Sequence, residues 1–166
     1  YYRGDTLEWS NDSSGVYVST FSNPKIFETR GTNNCATKNN SGMHHDKNNI
    51  FTEDILFVNM ESGLSNKIVT AMDPRIFIVN DNMYYSSWKG FYEWDIFKYN
   101  FNNGRKSLLG SLTSTIKGIS PDEKWLIGNY SSDIPSEHFS LLINAQNFKD
   151  RRIFNDTMID RVVWSN

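Results

Sequence analysis

The stretch from Ile119 to Tyr130, Ile-Ser-Pro-Asp-Glu-Lys-Trp-Leu-Ile-Gly-Asn-Tyr, combines a polar turn with strand-forming residues. Pro121 sets φ for the first corner of a tight turn, and Asp122 can accept hydrogen bonds from the backbone that follows it. The next residues, Trp125-Leu126-Ile127, are types that suit a half-buried pleated surface. The stretch therefore predicts two antiparallel strands joined by a short polar turn.

The same pattern recurs along the chain, at Leu7–Val18, at Phe77–Tyr85 and, cut off at its turn, at Arg161–Asn166. About 40 to 45 residues separate the later copies, and the first interval is longer by a polar segment over 22–50. Four short antiparallel strands in each such period are typical of a propeller blade. A blade cannot bury both of its faces alone, so neighbouring blades must stack on it.

We therefore predict an all-β fold of antiparallel four-stranded blades that forms a partial β-propeller, with about three blades and the start of a fourth. A closed ring normally needs at least four blades. The ring is then completed by further blades of a parent protein or by another chain, or else the blades form an open stack. We expect one propeller-like region over 1–166 with a polar insertion at 22–50, blades at 7–72, 73–114 and 115–158, and the first strand of a next blade at 159–166.

These motifs carry a family resemblance. Three segments resemble the Trp-Ser-Pro-Asp-Gly-Lys opening of TolB-like repeats, also called WD-like propeller repeats: Trp9–Asp12, Ile119–Leu126 and Val163–Asn166. Asp54–Gly63 and Asp95–Gly104 resemble the third strand of such a repeat and the turn after it. Similar blades occur in the propellers of prolyl oligopeptidases and dipeptidyl peptidases. The resemblance implies a module that presents its loops to a protein partner.

Composition excludes several other classes of function. The net charge of −2 gives no basic patch for nucleic acid or an anionic membrane. Apolar runs such as Ile55–Val58 are far shorter than the roughly 20 residues of a membrane-spanning helix. Cys35 is the only cysteine, so no internal disulfide can form. Because the chain begins with Tyr1 rather than Met, we expect a processed or excised piece. The sequence leaves the compartment open, and an extracytoplasmic location, periplasmic or secreted, is the favoured one.

The residue pattern predicts neither catalytic residues nor a cofactor. No Gly-x-Ser-x-Gly motif is present, and paired acids of the glycosidase type are not indicated. Asp12, Asp81 and Asp122 instead occupy equivalent turn positions in successive repeats, which favours a role in forming the turns. His44 and His45 could begin a metal site, but such a site needs more ligands that are rigidly held. On a polar loop we expect solvated histidines and no metal.

The best candidate contact surface is the aromatic connection between two strands of the second blade. Exposed aromatic rings can stack on a ligand or pack against a partner. For any single ring of this set, however, a place in the core between blades is the favoured interpretation. The candidate binding residues are Tyr84, Tyr85, Trp88, Phe91, Tyr92 and Trp94.

Two functions are consistent with the sequence. The favoured function is a non-catalytic propeller that acts as a protein-interaction scaffold, as part of a larger protein or an oligomer, without nucleic-acid binding or membrane insertion. The alternative is the propeller domain of a hydrolase, which would gate a peptidase domain or carry glycosidase-like acids.

Overall fold

The computed structural model describes residues 7–21, 52–90, 93–113, 115–131, 138–155, 159 and 162–164. These residues contain twelve strands, all paired antiparallel, and none of them lies in a helix. The predicted polar insertion at 22–50 lies outside the described residues. Residues 159 and 162–164 belong to no strand, and the proposal that 159–166 begins a further blade stays a prediction.

The strands form three four-stranded sheets, each a simple meander. The first blade comprises β1 (Leu7–Trp9), β2 (Gly15–Phe21), β3 (Thr52–Asn59) and β4 (Ser65–Met72). The second blade comprises β5 (Ile76–Val79), β6 (Asn82–Gly90), β7 (Glu93–Asn100) and β8 (Lys106–Leu112). The third blade comprises β9 (Ile116–Ile119), β10 (Trp125–Ser131), β11 (His138–Asn144) and β12 (Arg151–Asn155). The predicted all-β fold of four-stranded antiparallel blades is confirmed.

The second blade is buried on both of its faces. Successive side chains of a strand point to opposite faces of the sheet, so the adjacent residues Tyr84 and Tyr85 enter two different cores. The core between the second and third blades contains Tyr84, Ile96, Leu112, Ile116, Ile119, Leu126, Leu141 and Ile143. The core between the first and second blades contains Ile55, Ala71, Ile76, Met83 and Tyr85. Stacking of the blades therefore buries the aliphatic and aromatic side chains.

Two tight turns of every blade lie at the same end of the molecule, which we call the turn end. The first turn of each blade (β1–β2, β5–β6 and β9–β10) comprises residues 10–14, 80–81 and 120–124, respectively. The second turn of each blade (β3–β4, β7–β8 and β11–β12) comprises residues 60–64, 101–105 and 145–150. The β6–β7 hairpin, in which Trp88 pairs with Trp94 and Gly90 with Glu93, lies at the opposite end, which we call the hairpin end.

A repeated backbone hydrogen bond joins the two turns of each blade. The amide of Met60 donates to the carbonyl of Ser14 in the first blade, at 3.0 Å. In the second blade the amide of Phe101 donates to the carbonyl of Asp81, at 2.9 Å. The third blade has the same bond, from Ala145 to Lys124 at 2.8 Å. Backbone groups that pair in this way fix the two turns of a blade relative to each other.

An asparagine at the end of the third strand shapes the second turn of each blade. The side-chain oxygen of Asn59 accepts hydrogen bonds from the amides of Glu61 and Ser62, at 3.1 and 2.8 Å. Asn100 and Asn144 occupy the same strand position, and each accepts from backbone amides two or three residues further on. An asparagine side chain that bonds the backbone just beyond it is a common way to stabilise a turn.

Candidate interaction surface

Two aspartates of the turn end hold their own turns. Ser120 Oγ donates to Asp122 Oδ1 at 2.6 Å, and the amide of Lys124 donates to the same oxygen at 3.1 Å. These hydrogen bonds favour the ionised carboxylate and lower the pKa of Asp122 to about 2. The amide and hydroxyl of Ser14 do the same for Asp12 and lower its pKa to about 2. Both acids therefore serve the turns in which they lie.

Side-chain amides connect the turns of neighbouring blades. The Nδ2 group of Asn11 in the first blade donates to the carbonyl of Asn80 in the second. The Nδ2 group of Asn80 donates in turn to the carbonyl of Pro121 in the third blade, at 3.2 Å. The three first turns thus form one hydrogen-bonded row along the turn end.

Glu123 is the main polar contact between the second and third blades. Its backbone has a φ of 58°, a left-handed conformation that glycine adopts most readily. The Glu123 carboxylate accepts five hydrogen bonds from four side chains of the second blade. The donors are Asn80 Nδ2 at 2.9 Å, Asn82 Nδ2 at 2.9 and 3.1 Å, Tyr84 OH at 2.6 Å and Lys98 Nζ at 2.8 Å.

The hydrogen bonds to Glu123 decide its charge. Burial of the carboxyl group by itself raises the pKa of Glu123. Donation from Lys98, Tyr84, Asn80 and Asn82 outweighs that effect and lowers the pKa to about 2. Burial, together with the bond to Glu123, raises the pKa of the Tyr84 hydroxyl far above its usual range. At neutral pH the cluster therefore contains an ionised carboxylate and a protonated phenol.

A polar pocket opens beside this cluster on the side of the second blade that faces the third. Its volume is about 230 Å³. Lys98 and Ser107 are cross-strand partners on β7 and β8, and Asn82 and Asn100 are partners on β6 and β7. The pocket is lined by Asn82, Lys98, Asn100, Asn103, Arg105 and Ser107.

The predicted aromatic residues do not form one exposed surface. Tyr84 and Tyr85 are 1% and 0% exposed, so both rings belong to the cores between blades and neither is accessible to a partner. Trp88 and Trp94 face each other across the β6–β7 hairpin and are half-buried. Phe91 and Tyr92 lie outside the described residues. The binding role of Trp88, Phe91, Tyr92 and Trp94 therefore stays a prediction. Tyr84 and Tyr85 are packing residues.

Sequence reasoning did not identify Glu123 as a site residue. A signal was available, because Glu123 stands where the Trp-Ser-Pro-Asp-Gly-Lys motif of TolB-like repeats has glycine. A non-glycine residue in the left-handed conformation costs roughly 1–2 kcal/mol. The five hydrogen bonds of the carboxylate offset that cost. Lys98 gave no comparable signal, because its partner lies on another blade.

Within the part of the chain that the structure describes, no helix is long and apolar enough to cross a membrane. The same residues contain no group of three or more His, Cys, Asp and Glu side chains that could hold a metal ion. His44 and His45, the histidines considered as the start of a metal site, lie outside the described residues.

Comparison with known proteins gives the fold. No protein family model and no curated protein matches this sequence. The structure is similar to the crystal structure of TolB from Acinetobacter baumannii, with a TM-score of 0.60 and 13% sequence identity. The match covers 95% of this chain and 33% of the TolB chain. The chain therefore has the fold of a partial β-propeller like that of TolB and spans about a third of that protein's length.

Proposed function

We propose that the chain is a non-catalytic β-propeller module, built of WD-like repeats, that acts as a protein-interaction scaffold and presents its turn end to a protein partner. The observation that carries this proposal is that three carboxylates of the turn end accept hydrogen bonds that stabilise the turns and the contact between blades. Asp12 and Asp122 are held ionised by hydrogen bonds within their own turns, and Glu123 by hydrogen bonds from the neighbouring blade; each has a pKa of about 2. A general acid works best with a pKa near the operating pH, so these carboxylates suit a structural role.

The hydrogen bonds that order the turn end favour binding. Its backbone is held by the repeated bond between the two turns of each blade and by the amide row from Asn11 through Asn80 to Pro121. A surface that is ordered before binding loses little conformational freedom in the complex. The turn end is therefore better prepared for recognition than an isolated flexible loop.

Two features support a place in a larger propeller protein or assembly. Leu7 and Trp9, on the short β1 strand of the first blade, are 54% and 56% exposed. On the third blade, Asn129 Nδ2 donates to the carbonyl of Ile159 at 2.9 Å, and the amide of Ile159 donates to Asn129 Oδ1 at 3.2 Å. Ile159 is thus held against the third blade, which supports a further blade that begins after β12.

Site-specific photo-crosslinking in the native host tests the proposal. A photoreactive amino acid replaces Asp81 at the turn end in one variant and Lys89 at the hairpin end in another; both positions are exposed. We expect a discrete crosslinked protein from position 81. Crosslinking from position 89 alone would move the contact surface to the predicted aromatic hairpin. Turnover of ester, peptide or glycoside substrates by the purified chain, abolished by Glu123→Gln, would contradict a non-catalytic role.

A further inference from the structure

The pocket beside Glu123 is lined by hydrogen-bond donors that the fold leaves unused. The Lys98 ammonium carries three N–H groups and gives one bond, to Glu123, within the described residues. Asn100 uses one N–H of its amide group to bond Asn82 Oδ1 at 2.9 Å. Asn103 uses its side-chain oxygen, at 2.9 Å from the amide of Arg105, and its NH₂ group donates to no described residue. The pocket therefore offers several N–H groups to an incoming oxygen ligand.

The charge of the pocket matches a monoanion. The Arg105 guanidinium forms no ion pair with any residue that the structure describes, and the side chain is exposed. Lys98 and Arg105 together supply two positive charges, of which the ion pair between Lys98 and Glu123 at 2.8 Å neutralises one. One positive charge remains. The whole chain carries a net charge of −2, so this preference is local to the pocket.

The β7–β8 turn, which carries Arg105, is held by hydrogen bonds in the absence of a ligand. In the β7–β8 turn, Gly104 has a φ of 67°, and its amide donates to the carbonyl of Asn100 at 2.9 Å. The amide of Asn103 donates to Asn100 Oδ1 at 3.2 Å, which closes the turn from the other side. The backbone that positions Asn103 and Arg105 therefore needs no reordering on binding.

We propose that this pocket binds the carboxylate group of an acidic side chain from a protein partner. The proposal rests on the proposed function, because it names the chemistry by which the turn end recognises its partner. Guanidinium and ammonium groups bind carboxylates through charge-assisted hydrogen bonds, which are stronger than neutral ones. The volume of about 230 Å³ admits a carboxylate and the methylene groups that carry it.

A phosphorylated side chain would share the oxyanion chemistry but suits the pocket less well. Such a group carries a charge of about −1.5 to −2 at neutral pH. Glu123, whose carboxylate lies 2.8 Å from Lys98, places a negative charge beside the site. The remaining single positive charge balances a carboxylate but leaves a phosphate partly uncompensated, which favours the carboxylate.

Peptide titration of the ¹⁵N-labelled chain, followed by NMR, tests the proposal. The probes are a six-residue glutamate peptide, a glutamine peptide of the same length and a phosphoserine peptide. We expect saturable shifts of the Asn103, Arg105 and Ser107 amides with the glutamate peptide, weaker binding of the phosphoserine peptide and none of the glutamine peptide. Arg105→Gln should weaken glutamate binding about tenfold, as expected for the loss of a charge-assisted contact.

Two further variants keep the result interpretable. Arg75→Gln removes the same charge from an exposed arginine on the link between the first and second blades, and should leave binding unchanged. Ser107→Asp places a carboxylate directly across from Lys98 and should block the peptide. If Arg105→Gln and Arg75→Gln weaken peptide binding equally, or if the peptide binds without shifting the amide signals of residues 103–107, the proposed binding site is wrong. Tighter binding of the phosphoserine peptide overturns the assignment to a carboxylate.

The outcome also separates this inference from the proposed function. Failure of the glutamate peptide to bind, while crosslinking from position 81 still captures a protein, overturns the carboxylate pocket and leaves the scaffold role standing. Saturable binding in the pocket with no crosslinked protein supports the pocket chemistry and counts against the scaffold role.

Discussion

Replacement of Glu123 by glutamine tests the contact between the second and third blades. The variant keeps the size of the side chain but removes its charge, and it turns an NH₂ group toward donors that include Lys98 and Tyr84. A hydrogen bond to a charged group contributes about 1.5–3 kcal/mol. The Lys98 and Glu123 side chains are 33% and 16% exposed, so solvent screens part of the ion pair. We therefore expect Glu123→Gln to lower the free energy of unfolding by about 2–3 kcal/mol.

The measurement is urea or thermal unfolding of the parent chain and the variant at several pH values. For a chain of this length, each 1 kcal/mol corresponds to a shift in Tm of about 2–4 °C. The pKa of Glu123 is lower in the folded state than its ordinary value of 4.5. Its contribution to stability is therefore complete above pH 4.5 and is lost as the pH falls through about 2. The difference between parent and variant should shrink over the same range.

Glu123→Gly is the control for the backbone. It removes the same carboxylate but relieves the left-handed conformation, which costs a non-glycine residue roughly 1–2 kcal/mol. We expect it to destabilise the chain less than a variant that keeps a side chain without the carboxylate, such as Glu123→Ala. A change below about 0.5 kcal/mol for Glu123→Gln, typical of an ordinary surface substitution, would show that the carboxylate does not stabilise the contact between the blades. So would a loss that is the same at pH 7 and at pH 2.

Substitutions at four other positions, one of them with a compensating change at Phe148, probe the packing of the blades and the contact with Ile159. Tyr84→Phe removes the charge-assisted hydrogen bond to Glu123 and should lower the free energy of unfolding by about 1–2 kcal/mol. The hydroxyl of Tyr85 has no described partner, so Tyr85→Phe should be neutral or stabilising in the same urea titration. Gly110→Ala should lower the free energy of unfolding by about 1–3 kcal/mol, because the new Cβ would lie 2.2 Å from the ring of Phe148. Replacing Phe148 with leucine in the same variant should restore part of that stability. Failure to do so would argue against a clash with this ring. Asn129→Ala should raise amide hydrogen exchange at Ile159, and unchanged exchange would mean that the Asn129 side chain does not hold that residue.

The strand and turn pattern was predictable because it is local. Pro121-Asp122 and Asn103-Gly104 indicate turns through their own conformational preferences, and both lie in turns of the structure. The repeat of these signals predicts stacked four-stranded blades without knowledge of any long-range contact.

The candidate site was less predictable because it depends on contacts between blades. Tyr84 and Tyr85 belong to an aromatic-rich stretch whose residue types do not show which rings face solvent and which a core, and stacking on both sides of the second blade buries both. Glu123 meets Lys98 through the register of two separate blades. A single sequence gives the residue types but does not specify which of them meet across that interface.

The most direct test of the scaffold role is hydrogen exchange, measured with and without the protein captured from position 81. We expect the partner to slow exchange at the turn end, over 80–81, 101–105 and 120–124, and to leave the hairpin end at 86–90 unchanged. Slower exchange at the hairpin end with no change at the turn end would contradict it.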